Sequence, residues 1–509
     1  MKWIYQYPAW FFTGLILLLS AWYATFPDIL PYNGGFGFEG ATFYKAVVKD
    51  CYNAVLVRGM NAYSIQRILP FVLAHYVLRG LQLPLTDPVI LHYFMAYNVL
   101  VALAIIYYWH RLSQLFALRP AAIWVGYLGL VVSYATLKGD FYLPFNYDRT
   151  AVLIGIMSLY YHLAGQRVRL LVVALASLAV WPTALYCNLL LLLLPSGVQL
   201  PTAGNRTISG LWAVGSSLGF VALCTLVIYV YHIKTVSIAP TATAWLPLSI
   251  LLAAAYIAFT QYGLARVLLG SRTQLRHIGQ VFWSHRVMWL AAAVLIGCYL
   301  LLTKGLGTQG HQHMNVKTFL VNVVYGAVNR PAQFIISHSN YFGLPVAVAL
   351  VYWRQMGSAV RQMGLAVGGL FVLMLLQSVN SETRQLSNLL PVLVLATALV
   401  VQQLSPPPRT IACSLFIGLV LSKFWLCINQ FDPTLGQPND PFPMAVGQPG
   451  AEYIWNSPHQ AFLMNLGPWT SNQFLLIEGV VLVLLLLVVR RLYGKPQVSP
   501  QLQAGTFTA

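Results

Sequence analysis

Acidic residues are scarce in this chain, and the first one placed to do chemistry lies in a polar segment near the N-terminus. Only 11 of the 509 residues are Asp or Glu. Glu39 stands between Gly37 and Gly40, two glycines that let the backbone bend or approach a ligand closely. A carboxylate at such a position can act as a general base on a hydroxyl or hold a cation. The alternative is a solvated loop acid, or a charge that stabilises the N-terminus of a following helix.

Two other short polar segments place acids beside arginines. Asp140 and Asp148 flank a polar turn, and Glu382 precedes Arg384 in the sequence Ser-Glu-Thr-Arg. Asp148 is a second candidate for catalysis, although an acid at the start of a helix can also serve as its cap and can pair with Arg149. Arg384 could contact a lipid phosphate, because guanidinium groups bind phosphate through paired hydrogen bonds. A local ion pair with Glu382 is the alternative.

Basic and aromatic residues in the remaining polar segments could complete a binding surface. Arg67 and Arg330 are candidates for binding phosphate, and each could instead be a solvated charge. Trp455 could stack on a sugar ring or anchor its segment at the membrane interface. His311 and His313 have a spacing that can serve a metal, but no acid lies nearby, so we predict no metal site and no certain cofactor. A divalent cation is the one cofactor left open.

Composition sets the class of fold that must position these residues. Hydrophobic residues make up 58% of the chain and charged residues 8%, against about 25% charged in soluble domains. Apolar runs recur from end to end, and a bilayer crossing needs about 20 apolar residues. We therefore predict an all-α polytopic membrane protein with about 12 transmembrane helices. The net charge of +18 reflects basic loops that face the cytoplasm, so nucleic acid is not expected as a partner.

The distribution of Lys and Arg gives a predicted topology. We expect one integral-membrane domain over residues 1–495, with a short cytoplasmic tail over 496–509. The segment 68–83 is apolar but short, and we interpret it as an interfacial helix. Nearly all acids then fall on the outer side, so the chemistry is expected there. The predicted exoplasmic loops are 27–87, 138–149, 304–331 and 429–472.

The segment 168–195 has arginines at both ends, which a single crossing would place on opposite sides of the membrane. Arg167 and Arg169 precede it, Arg206 follows it, and Trp181-Pro182 lies at its middle. Proline breaks a helix because it lacks a backbone donor. We therefore predict a broken, re-entrant pair of short helices that meet at Trp181. One kinked helix is the alternative.

This layout resembles the GT-C class of integral-membrane glycosyltransferases, which use polyprenyl-phosphate-linked sugars. The first outer loop follows helix one and carries an acid near a tyrosine, here Glu39 and Tyr44. The segment Gln-Arg-Ile-Leu-Pro at 66–70 looks like the start of the next helix in some bacterial members. An acid before a span (Asp148), a broken helix pair and a Glu-Thr-Arg turn at 382–384 are also similar. The resemblance covers most of the chain through short motifs.

The resemblance implies a glycosyltransferase of the cell (inner or plasma) membrane that crosses it many times. Its donor would be a polyprenyl-phosphate sugar from the lipid, and its acceptor a glycan, lipid or protein. Glu39 would be the base that deprotonates the acceptor hydroxyl, with inversion at the anomeric carbon. Arg384, with Arg67 or Arg330, would neutralise the leaving phosphate. The other residues it implies for substrate binding are Tyr44, Asp140, Glu382 and Trp455.

Three other functions are compatible with the sequence. A polysaccharide polymerase or ligase would use the same kind of donor and a large late loop such as 429–472. A transporter for a lipid-linked substrate would need ionisable residues near the bilayer midplane, and the centres of the predicted spans carry almost none. A non-catalytic membrane partner with a glycosyltransferase-like fold is the third.

Overall fold

The structure, a computed structural model, describes residues 5–30, 32–37, 40–198, 205–230, 245–268, 272–307, 316–328, 330–426 and 472–494. Within these ranges the chain is helical, with connecting turns and no strand. The helices of the N-terminal half are α1 (Pro8–Thr25), α2 (Gly40–Lys49), α3 (Leu69–Gly80), α4 (Asp87–Leu115), α5 (Pro120–Val131), α6 (Asp148–Leu163), α7 (Arg167–Ser177), α8 (Ala184–Leu193), α9 (Arg206–Thr225) and α10 (Leu246–Leu268).

The C-terminal half continues in the same way, and α18 is its most buried helix. The segment Thr383–Leu404, which contains α18, has 89% of its most apolar window buried, with α5, α6, α15 and α16 packed around it. The helices of this half are α11 (Arg272–Ser284), α12 (Arg286–Leu300), α13 (Val316–Val328), α14 (Gln333–Phe342), α15 (Leu344–Val351), α16 (Trp353–Gln362), α17 (Leu365–Gln377), α18 (Leu390–Leu404), α19 (Pro408–Leu421) and α20 (Asn472–Tyr493).

Several helices are long and apolar enough to cross a bilayer, as the composition predicts. Among the described residues there are six, or seven if the bent pair Pro120–Val131 and Tyr134–Tyr142 counts as one span. The protein is therefore an all-helical membrane protein. The six segments are Pro8–Thr25, Asp87–Leu115, Arg206–Tyr229, Leu246–Arg266, Arg286–Leu306 and Thr383–Leu404.

The prediction of about 12 spans exceeds this count, because several apolar runs fold into shorter helices. The run 332–353 is divided at Gly343, whose φ of 69° ends α14 and starts α15. Gly364, with φ 85°, ends the preceding turn, and α17 extends over only 13 residues. A helix of that length spans about 20 Å at ~1.5 Å per residue, less than the ~30 Å hydrocarbon core. Helix α3 has 12 residues, and its placement as an interfacial or partly inserted helix stays a prediction.

The predicted pair of short helices around Trp181 is confirmed as a hairpin. Helices α7 and α8 are separated by a break over residues 178–183. The start of α7 and the end of α8 line one small cavity, and His162 Nδ1 lies 2.9 Å from the Leu191 carbonyl oxygen. At the other end, the Asn188 amide donates to Ser177 Oγ at 2.9 Å. Helices α7 and α8 are therefore antiparallel neighbours.

The polar turn at 138–149, predicted as an exoplasmic loop, is folded into the protein. Lys138, Asp140 and Arg149 are 1%, 5% and 3% exposed. Asp140 Oδ2 lies 3.1 Å from Arg149 Nε, so Arg149 pairs with Asp140 and not with its sequence neighbour Asp148. Arg149 also donates to the Leu130 carbonyl, which the break after α5 leaves free of a helical partner. This buried network holds the start of α6 in place.

Helix α6 lies close against the 3-10 segment Thr383–Leu389, and one glycine permits this approach. A Cβ placed on Gly155 would lie 2.1 Å from the carbonyl oxygen of Asn388. The Asn388 side chain in turn accepts a hydrogen bond from Thr183 Oγ1 at 3.1 Å, at the tip of the hairpin. The contact therefore brings α6, the hairpin tip and the 383–389 segment to one place.

We predict that Gly155→Ala destabilises the protein by about 1–3 kcal/mol, because the backbone at Asn388 must move to admit the new methyl group. The measurement is thermal unfolding in detergent. Gly210→Ala in α9 is the matched control, because a Cβ there meets nothing within 4 Å. The control should be neutral or stabilising by up to about 1 kcal/mol. Equal melting temperatures for the two variants would show that α6 and the 383–389 segment are not in close contact.

Candidate functional site

Arg67 is buried in a cage of aromatic rings. Its guanidinium carbon lies 3.7 Å from the ring centroid of Tyr63, 5.0 Å from that of Tyr147 and 5.4 Å from that of Trp181. The side chain is 6% exposed. Rings at these distances stabilise the cation through their electron-rich faces. They do not accept its N–H groups as an oxygen would, and Arg67 Nε has no hydrogen-bond partner.

The backbone around Arg67 explains why it points into this cage. Asn61 caps the short helix Ala62–Ile65 by accepting from the Ser64 amide at 2.7 Å. The Leu69 amide then donates to the carbonyl of Ala179 at 2.8 Å, which attaches the start of α3 to the hairpin tip. Arg67 therefore sits between a capped turn and the hairpin tip, with Trp181 beside it.

Asp148 lies next to this cage, at the first residue of α6 and outside the six spans. Its electrostatic neighbours are Arg384, Arg67 and Glu382. Burial raises the pKa of the Asp148 carboxyl above its ordinary value, although the two arginines act in the opposite direction. Tyr147 precedes α6 as its N-cap and makes no capping hydrogen bond with its side chain, whereas Asn146 Oδ1 accepts from the Asp148 backbone amide at 3.0 Å. The capping role considered for Asp148 is therefore not observed.

Glu382 and Arg384 form the local ion pair that the sequence indicates. Arg384 Nε donates to Glu382 Oε1 at 2.8 Å, and the Gln385 amide also donates to Glu382. Glu382 is 22% and Arg384 39% exposed. His338 Nδ1 lies 2.8 Å from Thr383 Oγ1, so a side chain of α14 fixes the position of this turn. Arg384 is thus the accessible cation of the site, whereas Arg67 is the buried one.

Three buried polar atoms around the cage have no hydrogen-bond partner. They are Arg67 Nε, Trp181 Nε1 and Asp148 Oδ1. Buried polar groups are nearly always hydrogen-bonded, so three such atoms at one place call for a partner, which is a water, an ion or a ligand. Two of these atoms are donors and one is an acceptor. A ligand that carries both an anionic oxygen and a hydroxyl group would satisfy all three.

The structure brings together Arg67, Asp148, Glu382 and Arg384 from three separate parts of the sequence. Tyr44 belongs to the wall behind them, because its ring stacks on Phe71 at 4.3 Å and its hydroxyl donates to the Ser64 carbonyl. Its hydroxyl therefore does not reach for a substrate, in contrast to its predicted role in binding.

Two predicted residues have other positions, and two more lie outside the described residues. Asp140 forms a buried ion pair with Arg149, the residue after Asp148. It therefore helps to position Asp148 and does not face a substrate. Arg330 is 2% exposed and is not among the charges that act on Asp148, and its role in phosphate binding stays a prediction. Glu39 and Trp455 lie outside the described residues, as do His311 and His313.

The aromatic members of the site were not predicted. Tyr63, Tyr147 and Trp181 form the cage, and half-buried Tyr341 lies within the electrostatic reach of Asp148 and Arg384. Because aromatic residues make up 13% of the chain, an aromatic side chain at a given position does not by itself indicate a functional site. A position beside a predicted site residue was the one available hint, because Tyr147 precedes Asp148 and Tyr63 lies four residues before Arg67.

No ligand set for a metal ion appears in the described part of the chain. Within it, no group of three or more His, Cys, Asp or Glu side chains comes together. Asp148 and Glu382 are the two carboxylates of the site, and Glu382 is already engaged by Arg384.

Comparisons with known protein families, with characterised proteins and with solved structures give no match to this chain. The class of protein that the fold defines is therefore a helical membrane protein with a buried arginine–carboxylate site. The resemblance to the GT-C class stays a prediction that depends on the layout of the sequence and its short motifs.

Proposed function

We propose that this protein is a membrane glycosyltransferase that moves a sugar from a polyprenyl-phosphate donor to an acceptor hydroxyl on the outer side of a cell membrane. The observation that supports it most is the set of unpartnered buried atoms, Arg67 Nε, Trp181 Nε1 and Asp148 Oδ1, gathered beside Arg384. A sugar phosphate carries the complementary groups. Its phosphate oxygens accept hydrogen bonds, and a sugar or acceptor hydroxyl donates one.

The proposed reaction follows from the charges of these residues. Asp148, as carboxylate, accepts the proton of the acceptor hydroxyl, whose oxygen attacks the anomeric carbon. The bond from that carbon to the phosphate oxygen breaks, and the electron pair leaves with polyprenyl phosphate. Arg67 and Arg384 stabilise the negative charge that grows on the leaving group. Attack from the face opposite the phosphate inverts the anomeric configuration. Glu39 stays a second candidate for the base on the sequence alone.

The arrangement of the two arginines also suits a donor that enters from the membrane. Arg384 is partly exposed, whereas Arg67 is 6% exposed. A lipid phosphate at the membrane surface would therefore meet Arg384 first and Arg67 further in. Positive charges in this order bind and orient the phosphate before transfer.

The test is release of polyprenyl phosphate by purified protein in lipid nanodiscs, with a panel of polyprenyl-phosphate sugars and candidate acceptors. We expect wild-type protein to release it from at least one donor, and Arg67→Gln and Arg384→Gln each to lower the rate by about 10²- to 10³-fold, because each removes one stabilising donor.

Arg111→Gln is the matched control. Arg111 also contacts a tyrosine, Tyr160, through its ring and its hydroxyl, but it lies near the opposite end of α4 from the site. Its rate should equal that of the wild type. Unchanged rates in the two site variants would remove the arginines from the reaction. Donor transport across the bilayer without release of polyprenyl phosphate would replace this proposal by a transporter, and polymer formation on one donor by a polymerase or ligase.

A further inference from the structure

One connection between two membrane spans carries cations that no acid can neutralise locally. The sequence contains no Asp or Glu between Asp148 and Glu382. Within that stretch, α11 joins the span Leu246–Arg266 to the span Arg286–Leu306. Among the described residues, no ion pair includes Arg266, Arg276 or Arg286. The connection contains four arginines, which are Arg266, Arg272, Arg276 and Arg286.

Helix α11 presents a polar and aromatic stripe on its exposed side. Arg276, Gln280 and Trp283 are exposed and are spaced by four and then three residues, so they share one face. Trp283 is 71% exposed. The stripe continues into α12 through Val287 and Leu290, which are 71% and 70% exposed. An arginine, a tryptophan and then aliphatic residues therefore follow one another along this surface.

The joint between α11 and α12 is held by tryptophan. Trp289 Nε1 donates to the carbonyl of Phe282 at 3.2 Å. The Trp289 ring stacks on Trp283 at 5.5 Å and meets Phe282 edge to face at 4.4 Å. These contacts fix the orientation of α11 relative to α12. They also hold Trp283 next to the exposed apolar residues at the start of α12.

The apolar part of the stripe must face lipid. The span Arg286–Leu306 has only 17% of its most apolar window buried inside the protein. Lipid that covers Val287 and Leu290 therefore also reaches Trp283. Tryptophan prefers the boundary between hydrocarbon and water, and arginine beyond it extends to the headgroups.

We propose that α11 and Arg286 form a docking surface for the anionic phospholipid headgroups of the cytoplasmic leaflet. The partner is a lipid surface of negative charge, because Arg266, Arg276 and Arg286 form no ion pair within the described part of the chain and Trp283 places this connection at headgroup level. Basic residues on an interfacial amphipathic helix are attracted to an anionic leaflet. The surface is separate from the arginine–carboxylate site, so the proposal stands whether or not the protein transfers sugars.

The test is hydrogen exchange with mass spectrometry on full-length protein in two kinds of nanodisc, one of phosphatidylcholine alone and one that also contains phosphatidylglycerol. We expect the amides of α11 to exchange about 10-fold more slowly in the anionic nanodiscs. High sodium chloride should remove most of this difference, because the contacts are electrostatic and close to water. The double variant Arg276→Gln and Arg286→Gln should lose the difference while keeping its melting temperature.

Arg79→Gln serves as the matched control, because Arg79 is an exposed cation on α3, on the predicted outer side. It should keep the full difference in α11. Equal exchange of α11 in the two lipid compositions would overturn the proposal. So would an equal slowing by inorganic phosphate in phosphatidylcholine nanodiscs, because that result would show a site for free anions and not for the lipid surface.

Discussion

Asp148→Asn is expected to lower the rate of sugar transfer by about 10²- to 10⁴-fold, the range found when a general base is removed. The amide keeps the size of the carboxyl group but cannot accept the proton of the acceptor hydroxyl. Arg67 and Arg384 stay in place, so donor binding should change much less than the rate. The measurement is release of polyprenyl phosphate in lipid nanodiscs, together with donor affinity by titration.

The pH dependence of the same reaction gives a second readout. Because burial raises the pKa of Asp148, the wild-type rate should fall as the pH drops through a value above the ordinary ~3.9 of an aspartate. Protonation removes the lone pair that takes the hydroxyl proton, so the loss occurs on the acid side. The Asp148→Asn variant has no carboxyl group there, and its residual rate should lack this acid limb.

Asp50→Asn is the matched control for this substitution. Asp50 is exposed, and its carboxylate accepts from the Asn53 amide at 3.2 Å, away from the site. Its variant should keep the wild-type rate. If Asp148→Asn also keeps that rate, Asp148 is not the base. A comparable loss in Glu39→Gln alone would then assign the base to Glu39, as the resemblance implies.

The residues of the site were predicted from charge, but their arrangement was not. Arg67, Asp148, Glu382 and Arg384 stand out because charges are rare in this chain. Which of them meet depends on the hairpin tip, which approaches the segment before α3 through the Leu69–Ala179 hydrogen bond. The proline at 182 predicts the break, but it does not say which segment the break contacts. The cage around Arg67 therefore emerges only from the packing.

The ion-pair partner of Arg149 could not be predicted from its neighbours in the sequence. Asp148 and Arg149 are adjacent at the start of α6, and adjacent residues on a helix point in different directions. Arg149 turns inward to Asp140, whereas Asp148 turns toward Arg384 and Arg67. Arg330 illustrates the same limit, because its sequence marks it as an outer charge and only the fold buries it.

The number of spans was overestimated for a related reason. Apolar composition predicts that a run is buried in lipid or protein, and it does not distinguish the two. Thr383–Leu404 lies mostly inside the protein, while α14 and α15 are divided by a glycine with positive φ. Short helices packed against one another satisfy their backbone groups without each crossing the bilayer. The all-helical class follows from composition, but the path of each run through the membrane needs the packing.

Asp140→Asn is expected to destabilise the protein by about 3–5 kcal/mol, the largest stability effect that we predict for a single substitution. It leaves the buried charge of Arg149 with only neutral partners, Thr136 and the Leu130 carbonyl. Taking a charge from water into the interior costs several kcal/mol unless an opposite charge compensates it. The measurement is the free energy of unfolding in mixed detergent micelles.

A double variant distinguishes a lost partner from a damaged core. Asp140→Asn combined with Arg149→Met removes both charges, and it should recover more than half of the lost stability because no unpaired ion is left. The matched control is Asp87, whose half-exposed carboxylate pairs with both Lys45 and Lys49 near the surface. Asp87→Asn should cost no more than about 1 kcal/mol, since water screens these pairs. If Asp140→Asn costs as little as Asp87→Asn, the network does not hold α6. Sugar transfer should fall in Asp140→Asn only as far as the folded fraction does, since Asp140 supports Asp148 without touching the substrate.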